Sequence, residues 1–304
     1  MHDLIIIGAG PAGLTAGLYA GRFRLDTLIL EKMSIGGQII LSPSIENFPG
    51  FPEHISTADL IEKIKTQVEQ VGVPFVMEEA VEISHGSGVY SVRTAENTYQ
   101  AKTVIIASGA SAKRLGVAGE EKFIGRGVSY CGTCDAPLFK NKEIFVVGGG
   151  DRAIEEAIFL TNYASKVTLA HRRNEFRASK ILVEHCQQNP KISFLLDSLI
   201  EEIFGQNKVE GVRIKNVKTG VSGEHSCQGV FIFVGINPNT GFVKNILQLG
   251  QSEFIITDQD MRANQPGIFS AGDCRKSGLY QVITACADGA LAAHSAHKYL
   301  LNLK

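Results

Sequence analysis

Two cysteines separated by two residues, Cys131 and Cys134, are the side chains of this sequence best suited to redox chemistry. Such a pair can cycle between a dithiol and a disulfide, and its setting often lowers the thiol pKa, which raises the thiolate fraction available for exchange. Asp135 follows directly and could carry a proton to or from the pair. Shortly after this acid an apolar run begins at Phe145 and ends in three glycines. One short stretch therefore combines a redox pair with a turn that could hold a pyrophosphate.

An earlier glycine-rich turn, GAGPAG, follows a strand pattern at residues 4–7 and precedes a helix pattern at residues 14–24. A second strand pattern, at residues 27–30, ends in Glu31, which stands at the distance from Gly13 that dinucleotide sites require of their acid. Glycines allow backbone N–H groups to approach a pyrophosphate, and the carboxylate can accept a hydrogen bond from a ribose hydroxyl. The arrangement predicts a dinucleotide site; the alternative is a turn that serves only close helix–strand packing. The predicted contact residues are Gly8, Gly10, Pro11, Ala12, Gly13 and Glu31.

The glycines after Phe145 repeat this pattern with a different charge at the end of the next strand. The strand pattern at residues 167–170 ends in a cluster of basic residues, and Arg172 stands nearly as far past Gly148 as Glu31 stands past Gly8. Guanidinium groups at this place suit a 2′-phosphate, so the second site is predicted to bind NADPH. The alternative is a solvated basic loop. The predicted contact residues are Gly148, Gly150, Asp151, Arg152, Ala153, His171, Arg172, Arg173 and Arg177.

Electron transfer between these sites requires an intermediary. NADPH delivers two electrons as a hydride, whereas a disulfide accepts electrons through thiolate chemistry, and a flavin can do both. The first dinucleotide site, with the carboxylate of Glu31, is free to hold FAD. Two dinucleotide sites and one dithiol thus indicate a flavoprotein disulfide reductase.

The gross composition is that of an ordinary globular protein. A chain of 304 residues favours two domains, and 44% hydrophobic with 20% charged residues is typical of globular proteins. A net charge of −1 indicates neither nucleic acid nor an anionic membrane as partner. The N-terminus has no basic region, and the apolar run at residues 4–7 is too short for a signal sequence or a membrane span, so a cytoplasmic location is expected. The cysteines without a close partner, expected to be packed thiols, are Cys186, Cys227, Cys274 and Cys286.

The remaining sequence patterns predict the helices and strands that would hold these residues in place. An amphipathic helix is predicted at residues 56–71, with apolar positions at Ala58, Leu60, Ile61, Ile64 and Val68. Strands are predicted at residues 81–94, 99–106, 230–234 and 267–273, and a final helix at residues 281–301. His294 and His297 share one face of that helix and are interpreted as surface residues, so no metal site is predicted.

Together these motifs closely resemble those of the low-molecular-weight, bacterial-type thioredoxin reductases over the whole chain. The matching motifs are GAGPAG at 8–13, GGQ at 36–38, ENFPG at 46–50, CGTCD at 131–135, GGGD at 148–151, HRR at 171–173 with Arg177 and Ala178, and AGD at 271–273. The resemblance implies an α/β fold with two Rossmann-like nucleotide-binding domains, the second inserted into the first. Residues 1–113 and 240–304 would bind FAD, and residues 114–239 would bind NADPH and carry the dithiol. It also implies a homodimer that reduces thioredoxin or a thioredoxin-like protein.

The resemblance also implies roles for individual residues. Gly8, Gly10 and Gly13 would hold the FAD pyrophosphate and Glu31 the adenosine ribose. Asp135 would protonate or deprotonate the dithiol–flavin system. The other residues expected to line the FAD site are Gly37, Gln38, Asn47, Gly109, Asp273 and Gln281. This chain departs from the family pattern at Ser108, at Arg152 and at Tyr280, which stands where an arginine commonly precedes the glutamine.

Several alternatives stay open at the level of sequence. A related flavoprotein could oxidise a small dithiol with oxygen, although such an enzyme would not need the basic cluster at residues 171–173. A zinc site at Cys131 and Cys134 lacks a second pair of ligands, and a purely structural protein would not need a dithiol beside two nucleotide sites. Cys134 is expected to face the flavin, but the sequence does not assign the two thiols. Arg152 could contact the phosphates of NADPH, or it could point to solvent or pair with Glu155 or Glu156 one turn on.

Overall fold

Each of the two glycine-rich turns follows an interior strand of a separate sheet, and that strand is parallel to both of its neighbours. The computed structural model describes residues 1–41, 44–45 and 47–303, so position 46 of the ENFPG motif lies outside the described residues. The chain forms two units, Met1–Ser111 with Asn237–Lys304, and Ala112–Ile236. The second unit is inserted in the sequence of the first, and its ends lie close to the predicted boundaries at 113 and 240.

The described helices and strands alternate through much of the chain, as in doubly wound folds. In chain order they are β1 (His2–Ile7), α1 (Pro11–Arg22), β2 (Thr27–Leu30), β3 (Ser44–Ile45), β4 (Ile55–Ser56), α2 (Thr57–Gln70), β5 (Phe75–Val76), β6 (Glu82–Gly86), β7 (Val89–Arg93), β8 (Thr98–Ile106), β9 (Ala110–Ala112), β10 (Val128–Ser129), α3 (Gly132–Asp135), β11 (Glu143–Gly148), α4 (Asp151–Leu160), β12 (Lys166–Ala170), α5 (Lys180–Gln188), β13 (Ile192–Leu195), β14 (Ser198–Phe204), β15 (Gly211–Asn216), β16 (Ser222–Ser226), β17 (Gly229–Phe233), β18 (Ile236–Pro238), β19 (Ile268–Ser270) and α6 (Val282–Leu301).

The main sheet of the first unit collects the predicted dinucleotide residues along one edge. Its strands lie in the order β5-β2-β1-β8-β7-β6, with β19 also beside β8. Five strands of this sheet run parallel to one another, namely β5, β2, β1, β8 and β19. Gly8 follows β1, Glu31 follows β2, and Gly109 and Asp273 lie just beyond the ends of β8 and β19. Ligands of parallel α/β sheets bind at the carboxyl ends of the strands, which is where all four residues lie.

Both faces of this sheet are covered, which explains the nearly continuous apolar strand patterns. Ile6 and its neighbours on one face belong to a core cluster that includes residues of α1, α2 and α6. Ile5 and Ile7 belong to a second cluster on the other face. Because successive side chains of a strand point to opposite faces, all four residues from Leu4 to Ile7 are buried.

The helix boundaries differ from the sequence prediction where local caps decide them. Helix α1 begins at Pro11 rather than residue 14, because Gly10 adopts an extended N-cap conformation and proline suits the first helical position. Helix α2 begins after Ser56, whose side chain accepts a hydrogen bond from Asp59 N–H. The expectation that Ala58 lies on the apolar face of α2 is wrong: Ala58 is exposed. The buried positions of that helix are Thr57, Leu60, Ile61, Ile64 and Val68.

The second unit contains its own parallel sheet, in the order β10-β17-β11-β12-β13. The antiparallel sheet β14-β15-β16 and the helices α3 and α5 belong to the same unit and were not predicted from the sequence. Strand β11 ends at Gly148, and its neighbour β12 ends directly before His171. The glycine turn and the basic cluster therefore leave the same edge of one sheet. No helix in the described part of the chain has the length and apolarity needed to cross a membrane.

We expect Gly289→Ala to lower the melting temperature of the first unit by several degrees. A Cβ at this position of α6 would meet the carbonyl oxygen of Ala12 in α1 at 2.1 Å. Overpacking of this kind costs about 1–3 kcal/mol, which outweighs the gain in helix propensity of about 1 kcal/mol. Calorimetry measures the change, and Gly86→Ala is the control because a Cβ there meets nothing within 4 Å. A melting temperature at or above that of the unmodified protein would contradict the packing argument.

Candidate redox and dinucleotide sites

The first glycine turn brings the start of α1 against the ends of two strands. A Cβ at Gly8 would meet the Ala107 carbonyl oxygen at 2.3 Å, and one at Gly13 would meet the Gly8 carbonyl oxygen at 1.8 Å. Only glycine therefore allows this approach. Gly10 differs, because a Cβ there would meet only the Gly36 carbonyl oxygen, at 3.8 Å. The space beside Gly10 lies at the N-terminus of α1, where no side chain caps the helix and no acidic residue lies in the first turn. Such a helix start favours a bound anion.

Glu31 holds the glycine turn in place from the end of β2. Its carboxylate accepts hydrogen bonds from the backbone N–H groups of Ala9, at 2.8 Å, and Met33, at 3.0 Å. The side chain is 9% exposed. Each carboxylate oxygen can accept more than one hydrogen bond, so these contacts leave room for a ribose hydroxyl.

The other residues predicted for the FAD site come from distant parts of the first unit. Asn47 Nδ2 donates a hydrogen bond to Gln281 Oε1 at 3.0 Å, although the two residues are separated by 234 positions. Gln281 is the N-cap residue of α6. Gly37 lies close to Gly10, since a Cβ at Gly37 would meet Gly10 Cα at 3.2 Å. Gln38 is exposed at the start of the 3-10 helix that spans Gly37–Leu41.

Asp273 lies in a tight turn that a largely buried ion pair supports. The turn follows β19, and Asp288 of α6 accepts hydrogen bonds there from Gly272 N–H, at 3.1 Å, and Arg275 Nη1, at 2.9 Å. The Arg275 and Asp288 side chains are 14% and 12% exposed. Asp273 itself is half-buried. Gly109, just after β8, has a φ of 64° and open space where a Cβ would lie.

These features fit an FAD molecule at the edge of the first sheet. The open position beside Gly10, the uncapped start of α1 and the carboxylate of Glu31 suit a pyrophosphate and a ribose. The amides of Asn47 and Gln281 offer hydrogen bonds to a polar ring edge.

The second glycine turn is tied to the basic cluster by three contacts. Arg177 N–H donates to the Gly149 carbonyl oxygen at 2.7 Å. Ser179 N–H donates to Asp151 Oδ1 at 2.7 Å, so the acid at the start of α4 turns toward the segment after Arg177. The ring of His171 packs on Gly149, where a Cβ would approach it to 2.3 Å. The predicted glycine and basic residues are thus brought together in one unit.

His171 lies beneath the glycine turn rather than at the surface with the arginines. It is 5% exposed, stacks on Phe176 at 5.5 Å and has no hydrogen-bond partner at Nε2 among the described residues. Burial lowers its pKa, and the charges of Arg177, Arg173 and Arg172 lower it further. The imidazole is therefore neutral at neutral pH.

The three guanidinium groups around His171 are available to an anion. Arg172, Arg173 and Arg177 are exposed, and within the described ranges none of them lies within 4.0 Å of a carboxylate. A Cβ at Gly150 would meet nothing within 4 Å, and no side chain caps the start of α4. Open space at a helix N-terminus beside exposed guanidinium groups fits the pyrophosphate and 2′-phosphate of NADPH.

The residues at which the chain departs from the family pattern have defined contacts. Ser108 Oγ donates to the Asn239 carbonyl oxygen at 2.8 Å, and Tyr280 packs on Phe254 at 5.7 Å. The guanidinium of Arg152 lies 5.5 Å from the Phe233 ring centre, and its Nη2 is 3.4 Å from the Tyr130 carbonyl oxygen. Its Nε is buried without a hydrogen-bond partner in the described part of the chain. The side chain of Arg152 therefore runs toward the residue before Cys131.

Cys131 and Cys134 are joined by a disulfide across the short helix α3, with their Cα atoms 5.4 Å apart. Cys134 is exposed, whereas Cys131 and Asp135 are half-buried. Cys134 N–H donates a hydrogen bond to Cys131 Sγ at 3.0 Å, a contact that would stabilise a thiolate on Cys131 in the reduced state. Cys186, Cys227, Cys274 and Cys286 are free and buried or half-buried, as expected.

A hydrogen-bond network anchors the segment that leads into the dithiol. Tyr130 donates to Glu120, which also accepts from Leu115 N–H at 2.8 Å and from Gly116 N–H. Arg114 Nη1 lies 3.0 Å from the Tyr130 hydroxyl oxygen. Burial acts to raise the pKa of Glu120, but these hydrogen bonds together outweigh it and lower the pKa. Burial and the Glu120 carboxylate raise the pKa of Tyr130 to about 12, so its hydroxyl stays a donor.

Glu156 of α4 lies directly beneath the dithiol helix. It is 4% exposed, and neither carboxylate oxygen has a hydrogen-bond partner among the described residues. A Cβ at Gly132, between the two cysteines, would meet Glu156 Oε2 at 1.9 Å, so the carboxylate packs on the Cα of that glycine. Burial, with a smaller effect from Glu155, raises the pKa of Glu156 to about 7, and the charge of Arg152 opposes the rise.

The sequence carries a signal for Glu156 in the periodicity of α4, outside the motif around the cysteines. Ala153, Ala157 and Leu160 mark the buried face of α4, and position 156 falls on that face by helical periodicity. Burial of a charged carboxylate costs free energy, so an acidic residue on that face is either neutralised or retained for a function. The sequence offered no comparable signal for the Glu120–Tyr130 or Asp288–Arg275 contacts.

In the described ranges, no group of three or more His, Cys, Asp or Glu residues is placed to hold a metal ion. The expectation that both histidines of α6 lie at the surface is wrong for His297. Its ring is half-buried and stacks on Phe23 at 4.6 Å because α1 packs on this face of α6. His294 is exposed.

Comparison with known proteins confirms the resemblance and the α/β fold class predicted from the sequence. A thioredoxin reductase of Peptoclostridium litorale is 43% identical over 309 residues, which cover 100% of this chain and 98% of the relative. The crystal structure of Lactococcus lactis thioredoxin reductase matches with a TM-score of 0.98 at 40% identity, over 99% of this chain and 100% of that chain. The thioredoxin reductase of T. acidophilum matches with a TM-score of 0.95 at 33% identity, over 99% of both chains. The profile of the pyridine nucleotide-disulphide oxidoreductases matches residues 2–289. The chain therefore belongs to the pyridine nucleotide-disulphide oxidoreductase family.

Proposed function

We propose that this chain is a thioredoxin-disulfide reductase that uses NADPH, FAD and the Cys131–Cys134 pair to reduce thioredoxin or a thioredoxin-like protein. The observation that carries the proposal is the position of the disulfide in the same unit as a glycine turn flanked by three exposed guanidinium groups. The basic cluster favours this function over the oxidation of a small dithiol by oxygen, which needs no 2′-phosphate site.

Each cofactor has a set of residues suited to it. FAD, when bound, accepts a hydride from NADPH and can pass two electrons to a disulfide. Gly8, Gly10, Gly13 and Glu31 would hold its pyrophosphate and ribose. Further FAD contacts would come from Pro11, Ala12, Gly37, Gln38, Asn47, Gly109, Asp273 and Gln281. The NADPH site would comprise Gly148, Gly150, Asp151, Ala153, Arg172, Arg173 and Arg177, with His171 supporting the turn and Arg152 at its border.

The residues of the dithiol helix perform the exchange with the partner protein. One thiolate attacks the partner disulfide, the other thiol resolves the mixed disulfide, and the partner leaves with two thiols. Asp135 carries a proton to or from the pair, and the N–H of Cys134 stabilises negative charge on Cys131. The assignment of the two thiols to attack and resolution stays open.

The proposal also includes the assembly and the location of the protein. Family resemblance supports a homodimer, which light scattering at micromolar concentration tests. The free thiols outside the redox pair support a reducing compartment, the cytoplasm. The direct test of the function is NADPH consumption by the flavin-loaded protein in the presence of thioredoxin and a disulfide substrate. Absence of turnover with every thioredoxin of the source cell would overturn it.

Cys134→Ser should abolish thioredoxin reduction and leave flavin content and NADPH-driven bleaching of the flavin spectrum intact. The reason is that the exchange needs two thiols, whereas the cofactor contacts come from other residues. Stopped-flow absorbance and a thioredoxin assay measure the two properties separately. Cys186→Ala serves as the control for loss of a thiol outside the pair, and normal turnover by Cys134→Ser would refute the role of the pair.

Asp135→Asn should slow thioredoxin turnover by one or two orders of magnitude, the range of a lost general acid–base group. Flavin content should stay unchanged because the substitution keeps the shape of the side chain and removes only its proton chemistry. The rate is to be measured across pH, with Asn141→Asp as an unrelated amide–acid exchange in the same unit. A rate equal to that of the unmodified protein at all pH values would exclude Asp135 as the proton carrier.

Replacing Arg172 and Arg173 together by serine should raise the KM for NADPH at least tenfold and hardly change the KM for NADH. Each charge-assisted hydrogen bond is worth about 1.5–3 kcal/mol, and about 1.4 kcal/mol corresponds to a factor of ten. Steady-state kinetics with both coenzymes provide the measurement. The matched control is Lys166→Ser with Lys208→Ser, two exposed cations of the same unit. Equal use of both coenzymes by the unmodified protein would contradict the 2′-phosphate site.

A further inference from the structure

We propose that Glu156 is a positioning residue of the redox pair: a buried carboxyl group beneath Cys131 and Cys134 that takes up a proton when their disulfide is reduced. The inference rests on the proposed reductase function and adds the group that couples the dithiol to protons. Asp135, which the family resemblance identifies as the proton carrier, lies on the dithiol helix itself. Glu156 belongs to a different helix, and nothing in the motif around the cysteines points to it.

The geometry places the carboxylate against the turn that joins the two cysteines. Glu156 Oε2 occupies the space of a Gly132 Cβ, at 1.9 Å from that position. Both carboxylate oxygens are buried without a hydrogen-bond partner among the described residues. An alanine at position 132 would displace the acid, so glycine there and glutamate at 156 form a matched pair.

Packing alone does not explain an acid at this place. The other buried residues of α4 are Ala153, Ile154, Ala157 and Leu160, and an apolar residue at 156 would continue the same face. A buried carboxylate without partners is far more costly than its protonated form, because burial penalises the charged group most. The site therefore favours the protonated acid whenever another negative charge appears nearby.

Among the described residues around Glu156, the dithiol is the group whose charge changes with redox state. Arg152 and the exposed Glu155 lie on the same helix as Glu156. The charge of Arg152 lowers the pKa of Glu156, and the charge of Glu155 raises it. Helix α3 contributes the redox pair and the half-buried Asp135. The other elements packed on α4, namely β11, β12, β17 and α5, carry their titratable groups at exposed positions apart from the buried thiol of Cys186. These exposed groups are Glu143, Lys166, Lys180, Glu184 and His185.

The proposed step balances in electrons and protons. The S–S bond accepts two electrons and breaks; one sulfur takes a proton, the other remains a thiolate, and Glu156 takes the second proton. Oxidation of NADPH supplies both electrons and one proton, and solvent supplies the other proton. When the thiolate attacks a partner disulfide, the S–S bond of the pair forms again. The protons of the thiol and of Glu156 then leave with the two thiols of the partner.

The test compares the flavin-loaded protein with Glu156→Gln and with the control Glu155→Gln, which removes an exposed carboxylate from the same turn. Each protein is equilibrated with dithiothreitol redox buffers from about pH 5.5 to 8.5, a range around the pKa of about 7. The peptide that contains both cysteines is then alkylated and quantified by mass spectrometry. Dithiothreitol reduces the pair without NADPH, so the test does not depend on turnover.

We expect reduction above pH 7 to take up more protons per two electrons in the unmodified protein and in Glu155→Gln than in Glu156→Gln, by up to one proton. Because Glu156 holds its proton in the reduced state, alkylation of the reduced pair should be faster in Glu156→Gln only toward pH 8.5, where Glu156 in the unmodified protein begins to lose that proton and its carboxylate opposes the thiolate. Below pH 6 the three proteins should converge, since the acid is then protonated. Equal proton uptake and equal alkylation profiles in all three proteins would overturn the proposal.

A second measurement covers the case in which Glu156→Gln does not fold. Infrared difference spectra of the unmodified protein and of Glu155→Gln, labelled with ¹³C-glutamate, report the protonation of glutamate alone. Reduction at pH 8 should produce the carbonyl band of a protonated glutamic acid in both proteins. Absence of that band from both would refute proton uptake by Glu156. A protein that shows the band but does not reduce thioredoxin would instead refute the proposed reductase function.

Discussion

The close contact between a helix start and the end of a parallel strand is the constraint on which the rest of this structure depends. It occurs twice, at Gly8 to Gly13 and at Gly148 to Ala153. In the first turn the Cα of Gly13 approaches the Gly8 carbonyl oxygen so closely that no other residue fits. In the second, a Cβ at Gly148 would meet the Cβ of Ala153 in α4 at 2.7 Å. Both contacts leave the N-terminus of a helix without a side-chain cap at the sheet edge, and backbone N–H groups there favour a phosphate.

The two turns share their geometry but differ in the groups that surround them. At the first, the carboxylate of Glu31 accepts hydrogen bonds from the turn and can accept another from a ribose. At the second, the neutral ring of His171 supports the turn from below, and exposed guanidinium groups flank it. The same backbone conformation therefore suits two different dinucleotides. The side chains at the end of the neighbouring strand decide which phosphates or hydroxyls are recognised.

Polar groups surround the dithiol: some hold the segment before Cys131, and others lie beneath the dithiol helix. Tyr130 and Glu120 hold the segment before Cys131, and the N–H of Cys134 points at its sulfur. Beneath the dithiol helix lies the buried acid Glu156, with Arg152 one turn earlier on the same helix. On this inner side little water screens a charge on the half-buried sulfur of Cys131, so nearby charges act on it strongly. This explains why a position remote from the redox motif in sequence has a part in its chemistry.

The sequence by itself determined the features that depend on short, regular spacing. The glycine turns, the charge at the end of each following strand and the cysteine pair could all be predicted, because a strand, a turn and a helix place residues at fixed intervals. The helix start after Gly10 is predicted only approximately, since caps depend on local conformation. Helix α5 and the antiparallel sheet β14-β15-β16 were missed, as their patterns are short and mixed.

Contacts between distant segments were decided by tertiary structure alone. Nothing local to Asn47 predicts its hydrogen bond to Gln281, which lies 234 positions away. The position of Arg152 in the sequence allows contact with a phosphate, with solvent or with the acids one turn on; only the packed chain places its guanidinium over Phe233, a ring that the neighbouring strand β17 brings beneath it. Glu156 lies under Gly132 because α3 packs on α4, an arrangement that the separation of these positions along the sequence does not encode. Periodicity assigns a residue to a face, but only the packed chain determines which group that face meets.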